Sequence, residues 1–445
     1  MTFNEKFLLI RKIWLIFFLT FLFFRNINLV KFIPNIFETS LNYFISSVGI
    51  VLILSRFYIK RSTKINNYLV LFWFATLLSF IVNLNYGHFF ENLKELIWCA
   101  TSLFLVFNDF DNSKTLELFK KFFVFLQFLF SFTSVALFFS KIGKVFLDPN
   151  DKSRRILLGF VEGRLFGLSD PNYASILSLI CIIVSFKFLV EEKNKFLKFF
   201  YIFNTLVQAN YISLSGSRTC IVSFMIVTLL SSFSYSFHFF KKNINKFLNI
   251  AFSLCVACLS CFLVINFLRL ISEISVYILN STNFSNNLDG EKISLIRDDV
   301  MYSSDISNAR FRIWKNAWKI FKTSWLFGTS PRLIVDHAIK KFPSEYIATK
   351  RASIHNGYIN VLVSTGLVGS SFFFLFMFRN ISMIAKRYVL EFTGKIKTDL
   401  NLNILVISVI VIMISNIFLN EIIFVNTICA LIFWLFLGKI NRLLL

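Results

Sequence analysis

The chain has 445 residues, of which 56% are hydrophobic and 61 are phenylalanine, and its mean hydropathy is +0.68. This composition excludes an array of soluble domains and indicates an integral membrane protein whose length is used by membrane spans. A net charge of +23 would favour nucleic acid as the partner of a soluble protein. Here the basic residues fall mostly in short connections between apolar segments, where the positive-inside rule places them. No nucleic-acid partner is therefore predicted.

Apolar segments bounded by charged residues predict an all-α polytopic membrane protein with about twelve transmembrane helices. The segments are residues 7–24, 41–57, 67–84, 93–107, 119–140, 173–190, 199–214, 219–240, 247–271, 356–378, 400–419 and 422–438. The first segment is predicted to stay as a span and not to be cleaved as a signal peptide, because bulky Phe23, Phe24 and Arg25 stand where small residues would be needed. We therefore predict a single integral membrane domain over residues 1–445.

Lysine and arginine residues in the connections predict the orientation of the spans. They are concentrated after the second, fourth, sixth, eighth and tenth segments, for example at Lys60, Lys120, Lys193 and Lys241. Both termini fall on the same side as these connections. Because basic connections stay inside, this side is predicted to be the cytoplasm, with both termini cytoplasmic.

Three connections on the opposite, outer face carry the polar residues of interest. They are residues 141–172, a tight turn at residues 214–218, and a loop at residues 272–355. Loops longer than about 15 residues are uncommon unless they are functional. The long loop is therefore predicted to be an extracytoplasmic functional element within the membrane domain.

Part of the long loop has a helical pattern. Ile313, Ala317 and Phe321 fall on one side of a helix whose other side carries lysines, so we predict an amphipathic helix at the membrane interface. Gly328 and Pro331 follow, and proline cannot continue a helix.

Cysteine and histidine spacings predict neither disulfides nor a metal site. All seven cysteines lie in or at the edge of apolar segments, and none lies in the long loop. Cys255, Cys258 and Cys261 have a ligand-like spacing, but inside an uninterrupted apolar helix they are expected to pack between helices. His355 has no second His or Cys at ligand spacing, so no metal or other cofactor is predicted. Carboxylates are too sparse for glycoside hydrolysis, which needs a pair of them.

The arginines of the outer face have two interpretations each. Arg218 follows Ser215 and Ser217 in a turn close to the hydrocarbon boundary, where its guanidinium can snorkel to lipid phosphate or hold a phosphate ligand bidentately. Arg310 can pair with Asp305 on a solvated face instead of binding a ligand. Arg164 precedes a turn that helix capping by Asp170 explains equally well.

His355 is the candidate general base. It ends the polar loop and is followed by Asn356 and then by an almost uncharged segment, so it is expected at a boundary between water and membrane. A neutral imidazole with a pKa near 6.5 accepts a proton from a hydroxyl group at neutral pH. The alternative is a structural residue at the start of a helix.

These residues, in their order along the chain, resemble the O-antigen ligase and polymerase superfamily of bacterial surface-glycan assembly. The resemblance covers about residues 150–370. The matching motifs are Gly163-Arg164…Gly167…Pro171-Asn172, Ser215-Gly216-Ser217-Arg218, Arg310…Trp314 with Gly328 and Pro331, and His355-Asn356 with Gly366 and Gly369. Thr219 departs from the pattern, because many relatives have a small residue after the arginine.

The resemblance implies a metal-independent, inverting glycosyltransferase with a GT-C-like helical bundle in the bacterial cytoplasmic membrane. Its donor would be an oligosaccharide on undecaprenyl pyrophosphate, with Arg218 and Arg310 holding the pyrophosphate and His355 acting at the acceptor hydroxyl. Further substrate-binding positions implied by the resemblance are Arg164, Ser215, Ser217, Arg312, Trp314 and Asn356. The expected partners are this lipid-linked donor, membrane lipid, and the flippase and chain-length regulator of the same pathway.

Three functions follow from the resemblance and the span count. A polymerase of O-antigen or capsule repeat units is favoured, because the phenylalanine-rich composition resembles that of surface-polysaccharide polymerases. An O-antigen ligase, which moves the finished chain to lipid A–core, is the alternative that the histidine motif favours. A flippase or transporter is the third, but transporters place ionisable residues at mid-membrane and have repeated halves.

Overall fold

The computed structural model describes residues 3–58, 65–109, 113–149, 155–240, 245–281, 294–295, 307–397 and 399–444. The first helices are α1 (Phe3–Arg25), α2 (Asn35–Tyr58), α3 (Asn67–Val82), α4 (Phe89–Ala100), α5 (Ser113–Phe139), α6 (Pro171–Glu191), α7 (Lys195–Ser215) and α8 (Arg218–Phe240). The remainder are α9 (Lys246–Ser281), α10 (Arg310–Thr323), α11 (Ile334–Lys341), α12 (Tyr346–Lys350), α13 (Gly357–Phe392), α14 (Leu400–Ser415) and α15 (Ile428–Leu444). Helix α4 continues through a π-helical stretch, Thr101–Val106, into Phe107–Asp109.

Helices form in all twelve apolar segments, so the protein is an all-α polytopic membrane protein in its main architecture. The last of these helices begins at Ile428, six residues after the predicted start of its segment at residue 422. Within the described residues, seven helices are long and apolar enough to cross a membrane, namely α1, α2, α5, α6, α8, α9 and α13. The apolar helices α3 and α14 are shorter, at 16 residues each. The total of twelve crossings stays a prediction. The basic positions 59–64 and 241–244, which helped to set the orientation, lie outside the described residues.

A three-stranded antiparallel sheet, which the sequence analysis did not predict, occupies the connection between α5 and α6. Its strands are β1 (Gly143–Leu147), β2 (Arg155–Val161) and β3 (Arg164–Gly167), in the order β1-β2-β3. Gly159 has φ +74°, and a Cβ there would lie 1.8 Å from the carbonyl oxygen of Ile142. Strand β3 packs on the ends of α5 and α7, so the sheet carries Arg164 to the point where α7 ends.

The long loop starts later than predicted and is partly helical. Helix α9 continues to Ser281, ten residues beyond the predicted end of the ninth segment, while residues 282–293 and 296–306 lie outside the described residues. Helices α10, α11 and α12 share a small core of their own, which includes Ile313, Ile320 and Ile347. The predicted amphipathic helix is therefore present as α10, but its apolar side packs mainly on protein. Trp318 on its other flank is 49% exposed.

Helix α13 is broken at Gly366, whose φ of +63° and ψ of −167° are not helical. A segment at residues 325–330 fits into the break. The amide of Leu367 donates to the carbonyl of Trp325 (2.8 Å), and the amides of Thr329 and Ser330 donate to the carbonyls of Val363 and Ser364 (both 2.9 Å). The segment thus satisfies the polar backbone groups that the break exposes, which is what an interrupted helix in an apolar environment requires.

Candidate functional site

Helices α6 and α8 begin close to one another, and the Asp170 carboxylate just before α6 interacts with His355 just before α13, at what we call the site end of the bundle. The thiol of Cys220, in the first turn of α8, donates to the carbonyl of Ser175 in the first turn of α6 (3.2 Å). Helix N-termini carry partial positive charge, which favours anions. Arg218 is the first residue of α8, and His355 lies two residues before the start of α13.

His355 is partly buried and has a left-handed backbone, with φ +49°. Its Nε2 lies 3.0 Å from the hydroxyl of Ser353. Burial and then the Arg310 guanidinium lower the pKa of His355 below its ordinary value, while the Asp170 carboxylate opposes them. His355, Arg310 and Asp170 thus form one electrostatic cluster, in which the imidazole is neutral at pH 7 and able to accept a proton.

The connection between α14 and α15, residues 416–427, fixes both Arg310 and the start of α13. The Arg310 guanidinium carbon lies 5.7 Å from the centre of the Phe418 ring. The amide of Gly357 donates to the carbonyls of Asn416 (2.8 Å) and Leu419 (2.9 Å). A short buried connection therefore sets the position of two predicted catalytic residues that are 45 positions apart in the chain (355 − 310).

Arg164 is buried and bonded to protein. Its Nε donates to the carbonyl of Ser215 (2.9 Å) and its Nη2 to the side-chain oxygen of Asn172 (3.0 Å). These bonds tie β3 to the end of α7 and the start of α6. Substrate binding by Arg164 stays a prediction. Its two hydrogen bonds show that it holds β3, α6 and α7 together at the site end.

The turn between α7 and α8 is shaped by its serines. Gly216 has φ +60° and ends α7. The Ser215 hydroxyl accepts from the amide of Ser217 (3.2 Å), and the Ser217 hydroxyl accepts from the amide of Cys220 (3.4 Å). Both serines are fully buried, while Arg218 is exposed. Of the predicted ligand-binding residues in this turn, Arg218 is the exposed one.

The other predicted substrate-binding residues lie around α10 and α13. Arg312 is exposed and its guanidinium carbon lies 5.1 Å from the centre of the Tyr346 ring. Trp314 packs against the core of the long loop, and its buried Nε1 has no hydrogen-bond partner within the described residues. Asn356 is buried and caps α13, where its Oδ1 accepts from the amides of Tyr358 (3.0 Å) and Ile359 (2.9 Å). Capping is sufficient to account for Asn356.

The sequence analysis missed a polar clamp between α3–α4 and the segment that enters the break in α13. The Asn83 side chain donates to the carbonyl of Gly328 (3.0 Å), and the Ser330 hydroxyl donates to Asn92 Oδ1 (2.6 Å). Glu95 accepts from Arg332 Nε at 2.9 Å. The clamp residues are polar positions within or beside apolar segments. This polarity is the one sequence signal that could have indicated them.

His337 belongs to the same clamp and has a structural role there. Its Nε2 lies 2.9 Å from Asn83 Oδ1, and its ring stacks on Tyr86 with 3.8 Å between ring centres. Burial, followed by the charges of Lys341 and Lys340, lowers the pKa of His337 to about 4. It therefore stays neutral at physiological pH and contributes packing rather than charge.

Fold and site together define a polytopic membrane protein with a basic, histidine-containing site where several of its helices begin. Residues 203–374 match the family model described as O-antigen ligase. This match supports the resemblance to the O-antigen ligase and polymerase superfamily that the motifs indicated, over residues 203–374 of the chain. The matched range contains Arg218, Arg310, His355 and the break at Gly366, while Arg164 lies before it. No curated protein matches the chain. Among the described residues, no group of three or more His, Cys, Asp or Glu side chains could hold a metal ion.

Proposed function

We propose that the protein is an inverting glycosyltransferase of the GT-C type that polymerises O-antigen or capsule repeat units. Its donor is an oligosaccharide on undecaprenyl pyrophosphate, at the outer face of the bacterial cytoplasmic membrane. The observation that carries the proposal is the cluster of His355 and Arg310 at the site end, inside the stretch that matches the family. The flippase and chain-length regulator of the same pathway are its proposed partners.

The proposed reaction uses His355 as general base. The acceptor sugar hydroxyl gives its proton to the neutral imidazole, and its oxygen forms a bond to the anomeric carbon of the donor glycan. The bond from that carbon to pyrophosphate breaks with its electron pair, so undecaprenyl pyrophosphate leaves and the anomeric configuration inverts. His355 then releases the proton to solvent. A general base of this kind contributes about 10²–10⁴-fold to the rate.

Arg218 and Arg310 are proposed to hold the pyrophosphate as charge develops on it. Guanidinium groups are always charged and match phosphate oxygens bidentately, so they stabilise the leaving group without a metal ion. The helix N-termini at the site end add positive potential in the same place. Holding donor and acceptor together at the membrane surface supplies proximity.

A ligase that transfers the polymer to lipid A–core is the second candidate, and it is favoured because the matched family is described as O-antigen ligase. Both reactions break the same donor bond and use the same three residues. A flippase or transporter is less well supported, because the charged cluster lies where helices begin and not at the middle of the spans.

Deletion of the gene is expected to leave surface glycan that carries a single repeat unit, because a lost polymerase still allows one unit to be transferred. Gel electrophoresis of surface glycan, stained for carbohydrate, measures this. Complementation with the intact gene should restore the ladder of chain lengths. Bare lipid A–core, with polymer stranded on the lipid carrier, would show that the protein is the ligase. Unchanged glycan would contradict both functions.

A further inference from the structure

Glu421 is a buried carboxyl group that the proposed reaction does not use. It lies in the connection between α14 and α15, and its side chain is completely inaccessible to solvent. Its Oε2 is in close contact with the Ser415 hydroxyl, and its amide donates to Asn416 Oδ1 (2.9 Å). Its Oε1 is buried and has no hydrogen-bond partner within the part of the chain that the structure describes.

The bonds of Ser415 indicate which group supplies the proton in this contact. A serine hydroxyl has one proton to donate. The Ser415 hydroxyl lies 3.0 Å from the carbonyl of Ile412, which has no proton and can only accept. If Ser415 donates to Ile412, the proton between Ser415 and Glu421 comes from the carboxyl group. The geometry therefore fits a protonated Glu421.

The surroundings of Glu421 favour the same protonation state. The ionisable groups known to interact with its carboxyl are Asp170 and Tyr173 at the start of α6, Cys220 in α8 and Cys429 in α15. None of them is a cation. Burial, and to a smaller extent the Asp170 carboxylate, raise the pKa of Glu421 to about 7, although the Ser415 hydroxyl and the Cys429 thiol oppose this because they can donate to the ionised carboxylate.

We propose that Glu421 is a positioning residue of the site, acting as a carboxylic acid that locks residues 415–421 against the start of α13. Asn416 connects it to the site, since this residue bonds to the Glu421 amide and its carbonyl accepts from Gly357. Phe418 beneath Arg310 lies within the locked segment. Loss of the proton would place an unpaired charge in the interior, and the segment would have to move to hydrate it. The effect on catalysis rests on the proposed function.

Thermal unfolding as a function of pH tests the protonation without any assumption about function. The pKa of Glu421 is about 7 in the folded protein and about 4.5 in the unfolded protein. The stability that this difference contributes is fully present below pH 4.5, the unfolded pKa, and is lost as the pH rises through about 7, the folded pKa. The Tm of the intact protein should therefore fall between pH 5 and pH 8. Glu421→Gln should lack this component of the fall, whereas Glu192→Gln, in the turn between α6 and α7, should keep it. A Tm difference between Glu421→Gln and the intact protein that does not vary with pH would overturn the proposal.

The pH profile of glycan transfer tests positioning. Transfer by the intact protein should fall about tenfold for each pH unit above about 7, and Glu421→Gln should remove that alkaline fall. Identical alkaline limbs in the two proteins would leave Glu421 with a structural role only and overturn the proposal. An absence of transfer in every protein would contradict the proposed function, while the unfolding experiment would still decide the protonation. If the variant does not fold, the infrared band of a buried carboxylic acid in the intact protein should disappear near pH 7, and its absence would overturn the proposal.

Discussion

His355→Asn is expected to lower the rate of glycan transfer about 10²–10⁴-fold while donor binding stays unchanged. Asparagine tolerates the left-handed backbone that His355 adopts at φ +49°, so the start of α13 keeps its conformation. It cannot accept a proton from the acceptor hydroxyl. Turnover and donor binding, measured separately with purified lipid-linked donor, check this.

Arg218→Lys should show the reverse pattern, with weaker donor binding, because lysine lacks the planar fork of arginine.

His88→Asn is a matched control for this experiment. His88 also has a left-handed backbone, with φ +53°, but it lies before α4 and its Nε2 is 3.8 Å from Asp336. Its replacement should leave the transfer rate unchanged. In the intact protein, transfer should also fall as the pH drops through the lowered pKa of His355, because the protonated imidazole cannot act as a base. Full activity of His355→Asn would reduce this histidine to a residue that starts a helix.

Gly366→Ala is expected to destabilise the protein by about 2–5 kcal/mol, the sum of left-handed strain and overpacking. Gly366 has φ +63°, and a Cβ there would lie 2.3 Å from the carbonyl oxygen of Leu326. The segment at residues 325–330 would be pushed out of the break in α13, and the amides of Thr329 and Ser330 would lose their acceptors. The loss of Tm in detergent measures the effect.

Gly87→Ala separates backbone strain from the collision. Gly87 has φ +85°, but nothing lies within 4 Å of a Cβ built at that position. It should therefore show only the strain, about 1–2 kcal/mol. Equal losses of Tm in the two variants would show that the segment at residues 325–330 does not occupy the break.

The helices were predictable because each apolar segment is long and continuous, and hydropathy over such a length is a local property. The sheet was not, because its strands have only four to seven residues and their register depends on pairing across the connection. Gly366 shows the same limit. From sequence alone, a glycine in an apolar segment is interpreted as a position where helices pack closely. The positive φ of Gly366 instead depends on a segment about 40 residues earlier in the chain.

The site divides in the same way. The order of motifs predicted Arg218, Arg310 and His355 as site residues, because each lies in a polar stretch next to an apolar segment, and their roles stay predictions. Asn92 and Ser330, which bond across 238 positions, have no local pattern that connects them. No local pattern marks Glu421 either, since its burial and the bonds of Ser415 are properties of the folded chain.

Chain growth by the purified protein tests the central proposal most directly. The protein would be reconstituted in liposomes with the lipid-linked repeat unit as its only substrate, a chelator present and no other enzyme. We predict products longer by whole repeat units, with an inverted anomeric linkage and one undecaprenyl pyrophosphate released per bond. His355→Asn should suppress them. If the products appear only when lipid A–core is added, the protein is the ligase. An intact donor under both conditions, with folded protein, would contradict glycan transfer.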